Sequence, residues 1–118
     1  MKFNTETQEH ITNLLVTDFE KQLTQEEAEL ESLEQELRHS LQEIGQKALG
    51  EMLSVQDKKS HQALEKCNCG GRLKRTERRV AKILSVFGWI NYRRGYYHCS
   101  NCGRRTALLD EKQGLKPG

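Results

Sequence analysis

The chain contains no apolar run approaching the roughly 20 residues that span a bilayer. Its mean hydropathy is −0.83, so a membrane-spanning helix is excluded. No secretory leader is expected either: Met1-Lys2-Phe3-Asn4-Thr5-Glu6 is too polar for one. The expected location is cytoplasmic, where structural disulfides are rare. Hydrophobic residues make up 35% and charged residues 31% of the 118 positions, too little apolar content for a large core. Histidines 10, 39 and 61 have no partner at a metal-ligand spacing and read as surface residues. Cysteine does not occur before position 67.

All four cysteines lie in one stretch, as Cys67-Asn68-Cys69-Gly70-Gly71 and Cys99-Ser100-Asn101-Cys102-Gly103. Two close pairs separated by a β-rich segment are the pattern of a zinc ribbon, in which two knuckles pin the ends of a long hairpin. A tetrahedral Zn2+ site needs four thiolate or imidazole ligands converging from two segments. Cys67, Cys69, Cys99 and Cys102 are the expected ligands. The second pair has the usual two-residue spacer; the first has one residue, shorter than the commonest structural spacing. His98 abuts Cys99 and is an alternative to one thiolate. Glycine after each second cysteine permits positive φ, which turns backbone amides toward the sulfurs. Structural zinc supplies roughly 10–16 kcal/mol of binding free energy coupled to folding, which offsets a small core.

The formal net charge of +2 conceals an asymmetry. Residues 1–65 hold 6 Lys/Arg against 14 Asp/Glu, a balance of −8, and residues 66–118 hold 13 against 3, a balance of +10. The two halves therefore suit different partners. The basic half is a candidate for nucleic acid, whereas phosphates would repel the acidic half.

Ile11, Leu14, Leu15, Phe19 and Leu23 recur at helical spacing and predict an amphipathic helix over 5–22. Thr24 with Glu27 fits a capping box, so a second helix is expected to start near Gln25. Its stripe is Leu30, Leu33, Leu37, Leu41, Ile44 and Ala48. Met52, Leu53 and Val55 extend it, and Asp57-Lys58-Lys59-Ser60 reads as a frayed end or linker. Gly45 and Gly50 weaken it by about 1 kcal/mol each. The helices are expected to form either a hairpin or a long coiled-coil arm that self-associates, packed through the leucines and separate from the ribbon.

From Gly71 onward β-branched and aromatic residues mark strands within Leu73–Val86 and Trp89–His98, with the turn at Gly88, and a short third strand at Arg105–Leu108. Ile90, Tyr92, Arg94 and Tyr96 share one strand face and Trp89, Asn91 and Arg93 the other. The predicted fold class is α+β. The expected organisation is an acidic helical region (1–62), a zinc-ribbon domain (63–110) and a C-terminal tail (111–118). Eleven cations lie between Lys66 and Arg105, opposed only by Glu77. Arg75, Arg78, Arg79, Lys82, Arg93, Arg94, Arg104 and Arg105 are the candidate nucleic-acid contacts, interleaved with Tyr92, Tyr96 and Tyr97. The other reading of the same residues is a solvated face over a tyrosine core.

These residues carry a resemblance. The run Cys67-x-Cys69-Gly70-Gly71, the segment Ile83–Ile90, the run Arg93-Arg94-Gly95-Tyr96-Tyr97-His98-Cys99-x-x-Cys102-Gly103 and the tail Leu109-Asp110-Glu111-x-x-Gly114-Leu115 together resemble the N-terminal region of Kra-four-family bacterial insertion-sequence transposases. The resemblance covers 67–115 specifically and the helices loosely. Proline is absent before Leu109. The family's RNase H-like catalytic domain would follow the tail, beyond Gly118, and Asp110 and Glu111 belong to the tail motif rather than to a catalytic pair. The resemblance therefore implies a non-enzymatic module that recognises double-stranded DNA at transposon ends, with a separate or missing catalytic chain. The competing expectation is a zinc-stabilised protein-interaction adaptor or oligomerisation module that binds no nucleic acid. A third class, an enzyme, is disfavoured because a closed four-cysteine site leaves no open metal position.

Overall fold

A computed structural model describes residues 2–24, 29–62 and 66–118. The elements run α1 (Thr5–Leu23), α2 (Leu30–Gln62), β1 (Leu73–Ser85), β2 (Gly88–Cys99), β3 (Arg105–Ala107) and α3 (Leu108–Gln113). The α+β class and the order of helices before ribbon are as expected. Glu27 of the expected Thr24–Glu27 capping box lies outside the described residues. The chain divides into two compact units, Met1–Arg38 and His39–Gly118.

In the first unit, Asn4 caps α1: its Oδ1 accepts from the Thr7 amide at 2.8 Å, satisfying one of the orphan donors of a helix start. Ile11, Leu15 and Phe19 are half-buried. Leu14 and Leu23 are exposed, as are Leu30 and Leu37.

In the second unit the sheet is antiparallel in the order β1-β2-β3. β1 and β2 pair from Leu73↔Cys99 to Ser85↔Gly88. The turn is Val86-Phe87, tied by Ser85, whose Oγ accepts from the Phe87 amide at 3.1 Å and donates to the Gly88 carbonyl at 2.8 Å. Gly88 has φ +98, a value that glycine reaches without strain. A register shift between Arg75 and Glu77 leaves Thr76 as an extra residue, the arrangement of a β-bulge. β3 pairs only with Tyr96, Tyr97 and His98. The rest of that edge of β2 is left without a strand partner among the described residues.

Helix α2 covers this open edge, and here the expected separation of helix from ribbon does not hold. The Arg93 amide donates to Ser54 Oγ at 3.1 Å and the Gly95 amide to Asp57 Oδ1 at 2.9 Å. Gln46 Nε2 donates to the Phe87 carbonyl at 2.5 Å. Backbone groups on a sheet edge must be satisfied or covered; these side chains replace a fourth strand along part of it. Gly50 is buried at the closest approach, where a Cβ would lie 2.2 Å from the Asn91 carbonyl oxygen. Asp57, expected in a frayed end or linker, has no exposed surface and forms an ion pair with Arg78 at 3.5 Å.

Two small cores result. One holds Leu73, Tyr97 and Leu108 with Cys67 and Cys99. The other holds Ala81, Tyr92 and Leu109, with Leu53, Ile83 and Leu115 against it. The expected division between ribbon and tail at 110/111 falls inside α3, which Gly114 ends in the left-handed conformation. The tail then runs beside β1, with the Gly118 amide donating to the Lys82 carbonyl at 3.1 Å.

Two substitutions test this edge cover. Gly50→Ala should destabilise the ribbon unit by about 1–3 kcal/mol, although alanine favours an isolated helix by about 1 kcal/mol. Asp57→Ala should cost about 3 kcal/mol, since it leaves a largely buried guanidinium and a backbone donor without their acceptor. Denaturant unfolding monitored at Trp89 measures both, and a stabilised Gly50→Ala protein would contradict the packing.

Candidate metal centre and basic surface

The knuckles are built by short backbone loops. In the first, the Gly70 amide donates to the Cys67 carbonyl at 2.9 Å and the Cys67 amide to the Gly71 carbonyl at 2.8 Å. In the second, the Gly103 amide donates to the Cys99 carbonyl at 2.8 Å and the Cys99 amide to the Arg104 carbonyl at 2.9 Å. Gly70 and Gly103 have φ of +90 and +78, the left-handed backbone that their positions after the cysteines require. The first loop is one residue shorter and closes all the same. Gly71 serves a different need: a Cβ there would meet Cys99 Sγ at 2.8 Å.

The ligand atoms of Cys67, Cys69, Cys99 and Cys102 all lie within 4.8 Å of one another. Cys67 Sγ is 3.5 Å from Cys102 Sγ, and Cys69 Sγ is 3.5 Å from Cys99 Sγ. All four are free thiols, and these separations far exceed a disulfide bond of about 2.05 Å. A tetrahedral ion about 2.3 Å from each sulfur would hold the sulfurs about 3.8 Å apart, so this donor set fits a metal ion. His98 does not join it. Consecutive strand residues point to opposite faces, and Cys99 takes the ligand side.

The thiols are electrostatically unequal. Cys69 is lowered to about 6, first by the Asn101 side chain and then by the Gly71 amide. The Cys69 amide, acting through a hydrogen bond, is the main group lowering Cys67. Although the Arg104 amide favours its thiolate, Cys102 is pushed up to about 12 by the neighbouring sulfurs of Cys67 and Cys69. Adjacent thiolates disfavour one another until a cation compensates them. Arg104 is itself raised, chiefly by its hydrogen bond to Cys67 and then by Glu111, which gives the centre a cationic neighbour.

The match to a known family runs over residues 23–117, a span that includes α2, both knuckles and the whole sheet. The chain belongs to the uncharacterised protein family UPF0236. No curated protein and no solved structure matches it.

On this UPF0236 ribbon the candidate nucleic-acid contacts fall into two groups. Arg94 is buried and ion-paired to Asp110, donates to the Tyr96 hydroxyl at 2.8 Å and lies over the Tyr92 and Tyr96 rings. Arg78 is committed to Asp57. Arg104 Nη2 holds the Glu111 carboxylate at 2.7 and 2.9 Å. Arg79 pairs with Glu77 at 2.9 Å. By contrast, Arg75, Lys82, Arg93 and Arg105 are exposed with no carboxylate partner among the described residues. The expectation that Glu77 alone opposes the cations is thus corrected: folding brings Asp57, Asp110 and Glu111 to Arg78, Arg94 and Arg104.

Sequence reasoning missed Asp57 and Asp110 as counter-charges because their partners, Arg78 and Arg94, are 78 − 57 = 21 and 110 − 94 = 16 residues away. Tyr92 donates to Asp110 Oδ1 at 2.6 Å, and burial, then Asp110, raises its phenol above the ordinary range. Thr106, then Arg104, lowers Glu111.

Protein purified under reductant should carry one metal ion per chain. Cys69→Ser or Cys102→Ser should lower metal affinity at least tenfold without abolishing α1 or α2. Ligation needs thiolates, so affinity should fall as the pH is lowered and protons compete for all four sulfurs. Elemental analysis and a competitive chelator titration across pH measure this; affinity independent of pH would contradict thiolate ligation.

Proposed function

We propose that this chain is a zinc-ribbon module that binds double-stranded DNA, of the kind that recognises transposon ends. Zn2+ is the metal assigned to the four thiolates, since closed tetrahedral four-cysteine sites of two knuckles are its characteristic structural environment. A closed site leaves no position for a reacting water. The resemblance of residues 67–115 to the Kra-four transposases supports the same reading, with catalysis supplied by another chain or domain.

The observation that carries the proposal is the placement of the free cations. Register puts Arg75 opposite Tyr97, Lys82 opposite Asn91 and Val80 opposite Arg93, so Arg75, Lys82 and Arg93 share one sheet face. Trp89, 52% exposed, lies on it with the Lys82 ammonium 5.3 Å from its ring. Unpaired cations beside an exposed indole suit a phosphate backbone with an adjacent apolar contact. Arg105, on β3 and paired with His98, lies on the other face. Arg78, Arg94 and Arg104 act instead within the fold.

The test is binding to mixed-sequence duplex DNA over a range of salt. Affinity should fall steeply with salt, and Arg75→Glu with Arg93→Glu should flatten the slope by about one unit per lost phosphate contact. Zinc content should not change. Unaltered binding by that double variant, or no binding by the parent at low salt, would overturn the reading.

The second reading, an adaptor or oligomerisation module, has its own support in the apolar residues that α2 leaves exposed.

A further inference from the structure

Within the second unit, helix α2 turns a mostly polar side to the sheet and an apolar side outward. The positions that meet the sheet and the hairpin turn are Gln42, Gly45, Gln46, Gly50, Ser54 and Asp57, with Leu53 against the core and Gly45 against the Phe87 ring. At 3.6 residues per turn, Leu41, Ile44, Ala48, Met52 and Val55 fall on the opposite side. Leu41, Ile44, Met52 and Val55 are 43%, 51%, 47% and 48% exposed. A surface helix ordinarily directs its apolar stripe to the core. Here the core-facing positions are taken by the groups that cap a strand edge, and the stripe remains open to solvent.

We propose that this stripe joins two copies of the chain, antiparallel about a two-fold axis through Ala48. The spacing from Leu41 to Val55 is three, four, four, three, and reads the same from either end. Two antiparallel copies centred on Ala48 set Leu41 against Val55 of the second copy and Ile44 against its Met52. Ala48 meets itself, and its small side chain lets the helices approach closely. The contact is isologous: each copy offers the same patch.

Charge selects the same orientation. Lys47 and Glu51 are one turn apart on one flank of the stripe. An antiparallel pair brings Lys47 of each copy beside Glu51 of the other. A parallel pair would instead turn this flank toward the opposite flank of the second copy, where neither Lys47 nor Glu51 meets the other. The stripe covers about 21 Å of helix at 1.5 Å per residue and uses none of the residues of the metal centre or of the Arg75–Lys82–Arg93 face. The inference is independent of DNA binding: a dimer that ignores DNA would uphold it and sink the proposed function.

The experiment uses the full metal-loaded chain, whose native sulfurs are occupied. Sedimentation equilibrium over a concentration series should give a monomer–dimer equilibrium; a monomer throughout overturns the proposal. Ile44→Asp should weaken association at least about a hundredfold by burying an unpaired charge, with helicity and metal content unchanged. Association unchanged in that variant also overturns it. Orientation is read by cross-linking. Ala48→Cys should oxidise to a covalent dimer, whereas Leu41→Cys alone should not, because its two copies lie about 21 Å apart along the antiparallel helices. Leu41→Cys mixed with Val55→Cys should cross-link. A covalent dimer from Leu41→Cys alone, as a parallel pair would give, overturns the antiparallel arrangement. Lys47→Glu should weaken the dimer and Lys47→Glu with Glu51→Lys should restore it; no rescue counts against the assigned register.

Discussion

Four sulfurs drawn from two loops converge at the open end of a long hairpin, and a metal ion bound there would close it. Leu73 and Cys99 are paired at the start of the ladder, so the ligands of the second knuckle enter directly from β2. Leu73, Tyr97 and Leu108 pack beside Cys67 and Cys99, which makes the metal centre part of the core rather than an appendage to it. A core this small gains little from apolar burial alone. A metal bound only in the folded state adds its binding free energy to folding. The unequal thiols point the same way: Cys69 is lowered, while the neighbouring sulfurs raise Cys102, a mutual repulsion that a bound cation would relieve.

The other end of the sheet is stabilised by different means. β3 is three residues long and leaves much of one edge of β2 without a strand. Ser54 and Asp57 take up amides of that edge, while Gly50 lets the helix backbone come close enough for them to reach. Polar and small residues on the inward side of α2 are therefore a structural requirement. The exposed apolar stripe on its other side is the consequence.

Folding also sorts the arginines. A sequence with eleven cations and one acid in the segment suggests a uniformly basic ribbon. Four ion pairs, Arg78–Asp57, Arg79–Glu77, Arg94–Asp110 and Arg104–Glu111, neutralise half of the eight candidate contacts. Of these arginines, half-buried Arg78 and buried Arg94 bind α2 and α3 to the sheet. Arg75, Lys82, Arg93 and Arg105 remain for an external anion. This division gives the same residue type structural and binding roles within a few positions of one another, as Arg93 and Arg94 illustrate on opposite faces of β2.

The sequence by itself determined the two long helices, the hairpin and the pairing of the cysteines. Helical spacing marked α1 and α2, β-branched and aromatic residues marked the hairpin, and paired cysteines with their glycines marked the knuckles, because each of these signals is local. Alternation along β2 likewise assigned Ile90, Tyr92 and Arg94 to one face before any packing was known. Only the tertiary structure decided what the local signals do not encode. It assigned Asp57 to the edge of β2 and to Arg78, and Asp110 to Arg94 and Tyr92. It made α3 out of what read as a short strand end and a tail. It also gave Gly50 its reason: in sequence that glycine only weakens a helix, whereas in the fold its missing Cβ makes room for the Asn91 carbonyl. Each of these depends on groups far apart in the chain meeting within a few ångströms, and no periodicity or composition records such a meeting.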